Sequence, residues 1–395
     1  MRQHNRLILT VLLFIFIIQE GHPSYAQDAL KSIQAPSAIV IDANTGDVLW
    51  SKKANSKRSI ASITKVITAI VAIEKGNLEQ TVTVGKDINT KDLKGIGLIP
   101  GERIKLNDLL YALMLYSAND SAAVIAEYIS GSVNEFVKLM NIKAAKIGAL
   151  NTKFSNPHGL DNEPLYKGNY STAYDLATIA RYALKNKTFQ RIISCKEKLL
   201  NRGIKGKQEK IINRNKLLWT YEGATGIKTG HTNAAGYCLL SSAKRDDVQL
   251  ISVVLGAKSY NDLFSQSSAL LDYGFSLYEK KKLISRGKLY RSVKMRYGQK
   301  VDLVALIDAE ASIRKTAKTS IKLDIKPHIQ PPIKKGTKLG TISVVQDGRI
   351  IASSPLIARQ SVKSPTIKQK LMYYMNRFWE NIEAFFAPNT SILTP

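Results

Sequence analysis

Ser59–Lys75 reads SIASITKVITAIVAIEK, a serine-rich start that turns into an apolar run with helical spacing. Lys65 stands three residues after Ser62, inside the first turn of that apolar segment. A lysine with a structural task belongs on the outer face of a helix or near its C-terminus, where the macrodipole favours cations. At i and i+3 two side chains share a face, so the Lys65 amine can reach the Ser62 hydroxyl. A serine hydroxyl becomes a nucleophile when a neighbouring base takes its proton. Lys65 can be that base once burial or a second cation lowers its pKa from about 10.4. The run Val66–Ile73 supplies the burial. Ser62 at the predicted helix start also meets free backbone N–H groups, which favour developing negative charge.

A Ser-x-x-Lys pair alone says little, and the chain has four: Ser62/Lys65, Ser241/Lys244, Ser285/Lys288 and Ser312/Lys315. Two further motifs set the first pair apart. LYSANDSA holds Ser117-Ala118-Asn119, and GIKTGHT holds Lys228-Thr229-Gly230, the one KTG in the chain, on a predicted strand. Ser132-Val133-Asn134 is a second Ser-x-Asn, but with Glu135 it reads as a helix capping box. The ordered set Ser62-x-x-Lys65, Ser117-x-Asn119, Lys228-Thr229-Gly230 is that of penicillin-binding proteins and related β-lactamases.

With TGDVLWSKKANSKRSIASITKVITA, NPHGLD and GIKTGHTNAAGYCLLSSAKR beside these motifs, the chain resembles the D-alanyl-D-alanine carboxypeptidases of the low-molecular-mass penicillin-binding protein family. The resemblance implies an enzyme that removes the terminal D-Ala from peptidoglycan pentapeptide stems and is acylated by β-lactams. By position, Ser62 would be the acyl-forming nucleophile and Lys65 its base. Ser117 would relay protons to the leaving amine, and Asn119 would bind substrate backbone. Lys228 would lower the Lys65 pKa and attract the substrate carboxylate, which Thr229 would hydrogen-bond. Gly230 would let the peptide lie against the strand as an added β-strand. The N–H groups of Ser62 and His231 would form the oxyanion hole.

The chain departs from the family at two places. SAN stands where SGN is usual, which adds one methyl. In GAKSYNDLF the family commonly carries an arginine at the place of Leu263, one that helps hold the terminal carboxylate. Leucine there leaves that group to Lys228 and Thr229, unless Lys258 reaches it, and keeps a cross-link-cutting D,D-endopeptidase in play. A β-lactamase of the common class needs a Glu-x-x-x-Asn loop that EPLYKGN does not match. A non-catalytic wall-binding scaffold is opposed by the intact Ser62, Lys65 and Lys228. Asp120, Glu163 and His158 read as loop, cap or turn residues.

The rest of the chain fixes compartment and layout. Arg2 and Arg6 precede the apolar run Leu7–Ile18, and Ser24-Tyr25-Ala26 fits a cleavage site, so residues 1–26 read as a secretory signal. The expected place of work is the periplasm or the outer face of the cytoplasmic membrane. Two cysteines, Cys195 and Cys238, make no disulfide framework. Five scattered histidines offer no ligand pair, so neither metal nor cofactor is expected. The net charge of +27 is densest late: residues 276–360 hold nineteen Lys and Arg against six Asp and Glu. Without a recognition motif and behind an export signal this points to anionic lipid or wall polymer, not nucleic acid.

Strands at both ends with helices between them suggest one sheet assembled from distant segments, an α/β (α+β) architecture. Ser37–Ala54 reads as a hairpin, and Gly223–Ala257 as two long strands joined at Arg245-Asp246-Asp247. A helix is expected to close this peptidase domain, residues 27–280, near Lys280. Short alternating runs over 281–360 suggest a small β-rich domain. In 361–395 the residues Ile367, Leu371, Tyr374, Met375, Phe378, Ile382 and Phe385 recur at helical spacing. With Trp379 and Phe386 widening the stripe, they predict an amphipathic helix lying on a membrane surface.

Overall fold

The structure, a computed structural model, describes residues 30–86, 93–161, 168–202 and 208–386. The expected leader and Glu163 lie outside these residues. The chain divides into two compact units between Ser276 and Leu277.

The first unit is built on a five-stranded antiparallel sheet. Its strands are β1 (Ser37–Asp42), β2 (Val48–Lys52), β3 (Ala224–Thr232), β4 (Gly236–Arg245) and β5 (Val248–Ala257), in the order β2-β1-β5-β4-β3. β1 pairs with β5 from Ser37↔Leu255 to Asp42↔Leu250. All six β1 residues are buried, which is why SAIVID is nearly continuous in apolar residues instead of alternating. β1 and β2 form the expected hairpin, whose turn is closed by Asp42 Oδ1 accepting from the Asn44 and Thr45 N–H groups at 2.7 and 2.9 Å. The Gly223–Ala257 stretch holds three strands, not two. The additional turn falls at Asn233-Ala234-Ala235, where Thr232 Oγ1 accepts from the Ala235 N–H at 3.1 Å. Gly236 then takes φ +67°, a conformation that glycine adopts without penalty.

Helix α1 (Lys65–Lys75) runs through the centre, with its first eight residues, Lys65–Ala72, all buried. A helix apolar on every side has to be a core helix, and that accounts for the unbroken VITAIVA. Around it stand α2 (Asn119–Ser130), α3 (Val133–Ile147), α4 (Ala173–Ala183) and α5 (Lys187–Ser194). The Ser132 capping box is in place: its Oγ accepts from the Glu135 N–H at 3.2 Å. α6 (Tyr260–Ser276) packs on the sheet. It stops at Ser276, short of the expected end near Lys280. The next residues, Tyr278–Ile284, are instead drawn into a two-stranded pairing with Ala309–Arg314. Helices against an antiparallel sheet bear out the mixed α/β class.

One buried ion cluster ties two distant loops of this unit. Arg202 follows the strand Glu197–Asn201 and is nearly solvent-free; its Nε donates to Glu102 Oε1 at 2.5 Å and its Nη2 to Glu102 Oε2 at 2.9 Å. Its Nη1 meets Glu209 and the Ile96 carbonyl, and Nη2 also meets the Gly97 carbonyl. All five guanidinium N–H donors therefore have acceptors. Removing one partner of a buried pair strands the other charge, at about 3–5 kcal/mol. Arg202→Ala should accordingly lower the midpoint of chemical denaturation sharply, whereas a surface change such as Lys138→Ala should leave it nearly unmoved.

The second unit is a β domain of its own. Strands β6 (Leu289–Lys294), β7 (Lys300–Ala305), β8 (Thr319–Ile325), β9 (Lys338–Gln346) and β10 (Arg349–Ala358) form an antiparallel sheet in the order β6-β7-β10-β9-β8. Its core gathers Ile284, Val301, Leu303, Ile342 and Leu356. The terminal helix α7 (Ile367–Phe386) follows. Its apolar stripe faces outward, with Leu371 61%, Phe378 60% and Trp379 57% exposed. No helix among the described residues is long and apolar enough to cross a membrane.

Candidate active site

The Ala61–Thr64 turn is a 3₁₀ segment leading into α1, so Ser62 sits one turn before the helix proper. Ala61 takes φ +47° and Ser117 φ +66°, two of the few non-glycine residues with positive φ among those described. Such backbone persists where the surroundings over-determine it, and it gathers at functional sites.

Lys65 is wholly buried, and its amine is surrounded. Nζ lies 2.9 Å from Ser62 Oγ, 2.6 Å from Asn119 Oδ1 and 2.6 Å from the His158 carbonyl oxygen. The His158 carbonyl reaches it because the NPHGLD loop is fastened to α1. Thr68 Oγ1 donates to the Pro157 carbonyl at 2.7 Å, and Asn156 Oδ1 folds the loop back by accepting from the Gly159 N–H at 2.7 Å. Asp161 closes the loop, receiving the Ser59 hydroxyl at 2.6 Å and the Thr232 hydroxyl at 2.7 Å. The nucleophile turn is thereby joined to the end of β3.

Along β3, Lys228 and Thr229 are buried and His231 is exposed. Lys228 Nζ donates to the Thr229 carbonyl at 3.0 Å. A Cβ at Gly230 would stand 2.9 Å from the Ser62 nitrogen, so glycine is what lets the strand approach the serine turn. Ser117 is half-buried, one residue before Ala118 and two before Asn119, whose N–H donates to the Lys94 carbonyl at 2.8 Å. Next to it the buried Asp120 carboxylate accepts from the Leu98 N–H at 3.1 Å and the Ser121 N–H at 2.7 Å.

The electrostatics follow from this burial. Lys65 is held well below the ordinary lysine range, first by burial, then by the Lys228 and Arg214 charges, against a smaller opposing pull from Asp120. Lys228 is pushed down to about 7 by burial and by Arg214. Arg214, whose charge lowers both lysines, is a residue that no motif announces. Its guanidinium lies 4.4 Å from the Tyr116 ring centroid and its backbone N–H donates to the Leu115 carbonyl, two residues before Ser117. Nothing in its spacing marks it. The His158 carbonyl escapes for a like reason, since a backbone acceptor leaves no signature in side-chain types.

Leu263 is fully buried on the inner face of α6. Its apolar side chain offers no charge to a substrate carboxylate. Among the described residues no cluster of His, Cys, Asp and Glu could hold a metal ion. Both cysteines are free thiols.

Comparison with known proteins agrees over nearly the whole length. Residues 23–259 match the family model for D-alanyl-D-alanine carboxypeptidase, and 278–364 that for the penicillin-binding protein 5 C-terminal domain. D-alanyl-D-alanine carboxypeptidase DacF of Bacillus subtilis is 34% identical over 376 residues, 91% of this chain and 95% of that protein. D-alanyl-D-alanine carboxypeptidase DacA of Escherichia coli is 31% identical over 394 residues, 94% and 95% of the two chains. The structure of penicillin-binding protein 5 from Haemophilus influenzae superposes with a TM-score of 0.59 at 30% identity, covering 84% of this chain and 98% of its own. Since the first family model alone spans more than half of its length, the chain belongs to the D-alanyl-D-alanine carboxypeptidase family, with a C-terminal domain of the penicillin-binding protein 5 type.

Proposed function

We propose that the chain hydrolyses the terminal D-Ala–D-Ala bond of peptidoglycan stem peptides through an ester on Ser62. The observation that carries this reading is the surroundings of the Lys65 amine. A neutral amine has two N–H groups and one lone pair. Two carbonyl-type acceptors, Asn119 Oδ1 and the His158 oxygen, and one hydroxyl, Ser62 Oγ, lie within 2.9 Å. The two N–H groups serve the carbonyls, and the lone pair is left for the serine proton. Ser62 Oγ then attacks the carbonyl of the penultimate D-Ala while Lys65 takes the proton. The carbonyl oxygen collects its charge at the Ser62 and His231 N–H groups. The C–N bond breaks as Ser117 passes its proton to the departing D-Ala amine and takes one from the Lys65 ammonium, which returns Lys65 to its neutral form. Water, giving a proton to the neutral Lys65 amine, attacks the ester, and Lys65 returns that proton to Ser62 Oγ as the ester C–O bond breaks. Asn119 orients both Lys65 and the peptide, and Gly230 lets the peptide lie along β3. β-Lactams enter the same path and stay on Ser62. The test is D-Ala release from a peptide ending in D-Ala-D-Ala, run beside a cross-linked dimer. Release from the dimer alone would overturn the carboxypeptidase reading in favour of an endopeptidase.

Lys228, Thr229 and Arg214 are the groups proposed to hold the terminal carboxylate. An incoming anion favours the charged form of Lys228 and so offsets the push that burial and Arg214 exert on it. A charge-assisted contact is worth about 1.5–3 kcal/mol. Arg214→Ala should therefore lower kcat/KM for the free-acid peptide by about ten- to a hundred-fold, and much less for the same peptide with an amidated end. Equal losses on both substrates would remove Arg214 from carboxylate recognition.

We further propose that the protein is exported and held at the membrane surface by α7. The stripe of Leu371, Met375, Phe378 and Trp379 is open to solvent, while Lys368, Lys370 and Arg377 suit anionic headgroups. Truncation after Ser364 should leave D-Ala release intact and abolish sedimentation with vesicles containing anionic lipid. Unchanged sedimentation would place the membrane contact elsewhere.

A further inference from the structure

Beside the site an aromatic ladder runs outward from β3. His231 stacks on Tyr237 with ring centroids 4.1 Å apart. Tyr237 meets Tyr260 edge-on at 5.1 Å, and Tyr260 meets Phe264 at 5.7 Å. The rings come from three elements: β3, its neighbour β4, and the first turns of α6. His231 is exposed, Tyr260 is 37% exposed, and Tyr237 and Phe264 are half-buried. The ladder is therefore a surface feature and not part of the core. Lys258 and Asn261, both exposed, flank Tyr260.

The direction of the bound peptide gives the ladder an occupant. Under the proposed function the terminal carboxylate lies at Thr229 and the reacting carbonyl at the His231 N–H. The rest of the stem then leaves along β3 toward Thr232, the end of the sheet where Tyr237 pairs opposite His231 and next to Ala257. α6 begins three residues after Ala257, so Tyr260 and Phe264 stand at that same exit. In a pentapeptide stem four residues separate the reacting carbonyl from the sugar. At ~3.3 Å per extended residue they span about 13 Å, enough to pass the two centroid steps of 4.1 and 5.1 Å that lead from His231 to Tyr260. A pyranose ring offers an axial C–H face to an aromatic ring and hydroxyl groups to polar neighbours.

We propose that Tyr260, at the outer part of this ladder, is the stacking platform of a sugar subsite for the glycan that carries the stem. Lys258 and Asn261 are placed to meet the sugar hydroxyls. The proposal rests on the carboxypeptidase reading, which sets the direction of the peptide. It makes the preferred substrate a stem still attached to its glycan, not a free peptide.

The test compares kcat/KM for a free pentapeptide with that for the same pentapeptide on its disaccharide, using the full chain. A stacked ring contributes on the scale of an aromatic pair, so the wild type should favour the disaccharide substrate by about three- to ten-fold. Tyr260→Ala should bring that ratio close to one, and Tyr260→Phe should retain it. A wild-type ratio of one overturns the subsite while leaving the carboxypeptidase reading intact. So does Tyr260→Ala lowering both substrates alike with the ratio unchanged. Failure of the wild type to hydrolyse either substrate removes the carboxypeptidase reading and the subsite with it.

Discussion

Ser62→Ala abolishes D-Ala release, with an expected loss of about a million-fold in kcat, the scale seen when another serine hydrolase loses its nucleophile. The size of the effect follows from the division of labour at the site. The Ser62 hydroxyl, Asn119 and the His158 carbonyl are arranged about the Lys65 amine, and without the hydroxyl that amine has no proton to take. Binding should persist, because Lys228, Thr229 and Arg214 do not depend on that oxygen. A titration with the free-acid peptide should therefore give a Kd for the variant close to that of a slowly turning wild type. Residual turnover within a hundred-fold of wild type would mean that another group attacks the carbonyl.

Lys65→Ala has the second largest expected effect, a loss of about 10²–10⁴-fold, the range of a positioned general base. The pH dependence of the wild type reads the same group. Burial is the largest cause of the lowered Lys65 pKa, and Lys228 the next. The neutral amine is the working form, so activity rises with pH, and the limb lies well below the ~10.4 of a free lysine. Replacing Lys228 with glutamine removes one of the lowering charges. The limb should move to higher pH, part of the way only, because burial remains. A limb that stays in place would leave burial alone in control. The same shifts act on stability. Unfolding returns both lysines to ~10.4, so between their folded values and ~10.4 the unfolded chain binds more protons. Stability due to these two groups therefore rises with pH across that window.

The site is legible where chemistry is written in local spacing. Ser62 and Lys65 are one helical turn apart, Ser117 and Asn119 share one tight turn, and Lys228-Thr229-Gly230 is contiguous on a strand. Each is a short-range relation that residue order alone preserves. The core helix is legible from the unbroken apolar run of α1, and the outward apolar stripe of α7 from its period. What escapes depends on tertiary pairing. The turn at Asn233-Ala234-Ala235 carries one strong turn former, and its closing contact is a threonine hydroxyl. The end of α6 is set by Tyr278–Ile284 finding its partner strand Ala309–Arg314 far along the chain.

Arg214, the His158 carbonyl and the Arg202 cluster belong to the same class. Arg214 acts across space on two lysines, one of them far from it in sequence. The His158 oxygen is aimed by Thr68 and Asn156, residues whose types are common everywhere. Arg202 joins loops about a hundred residues apart. Leu263 shows the opposite difficulty. The family pattern has an arginine at this place that helps hold the terminal carboxylate, whereas this chain has a fully buried leucine.

One serine, Ser62, is proposed to carry the acyl group. Intact-mass measurement of the full chain after exposure to a penicillin, followed by peptide mapping, tests it most directly. The expected result is a mass increase of one ligand, an adduct on the peptide containing Ser62, and persistence of that adduct, since EPLYKGN does not match the Glu-x-x-x-Asn loop of rapid deacylation. No adduct, or an adduct on Ser117 or any other serine, would contradict it.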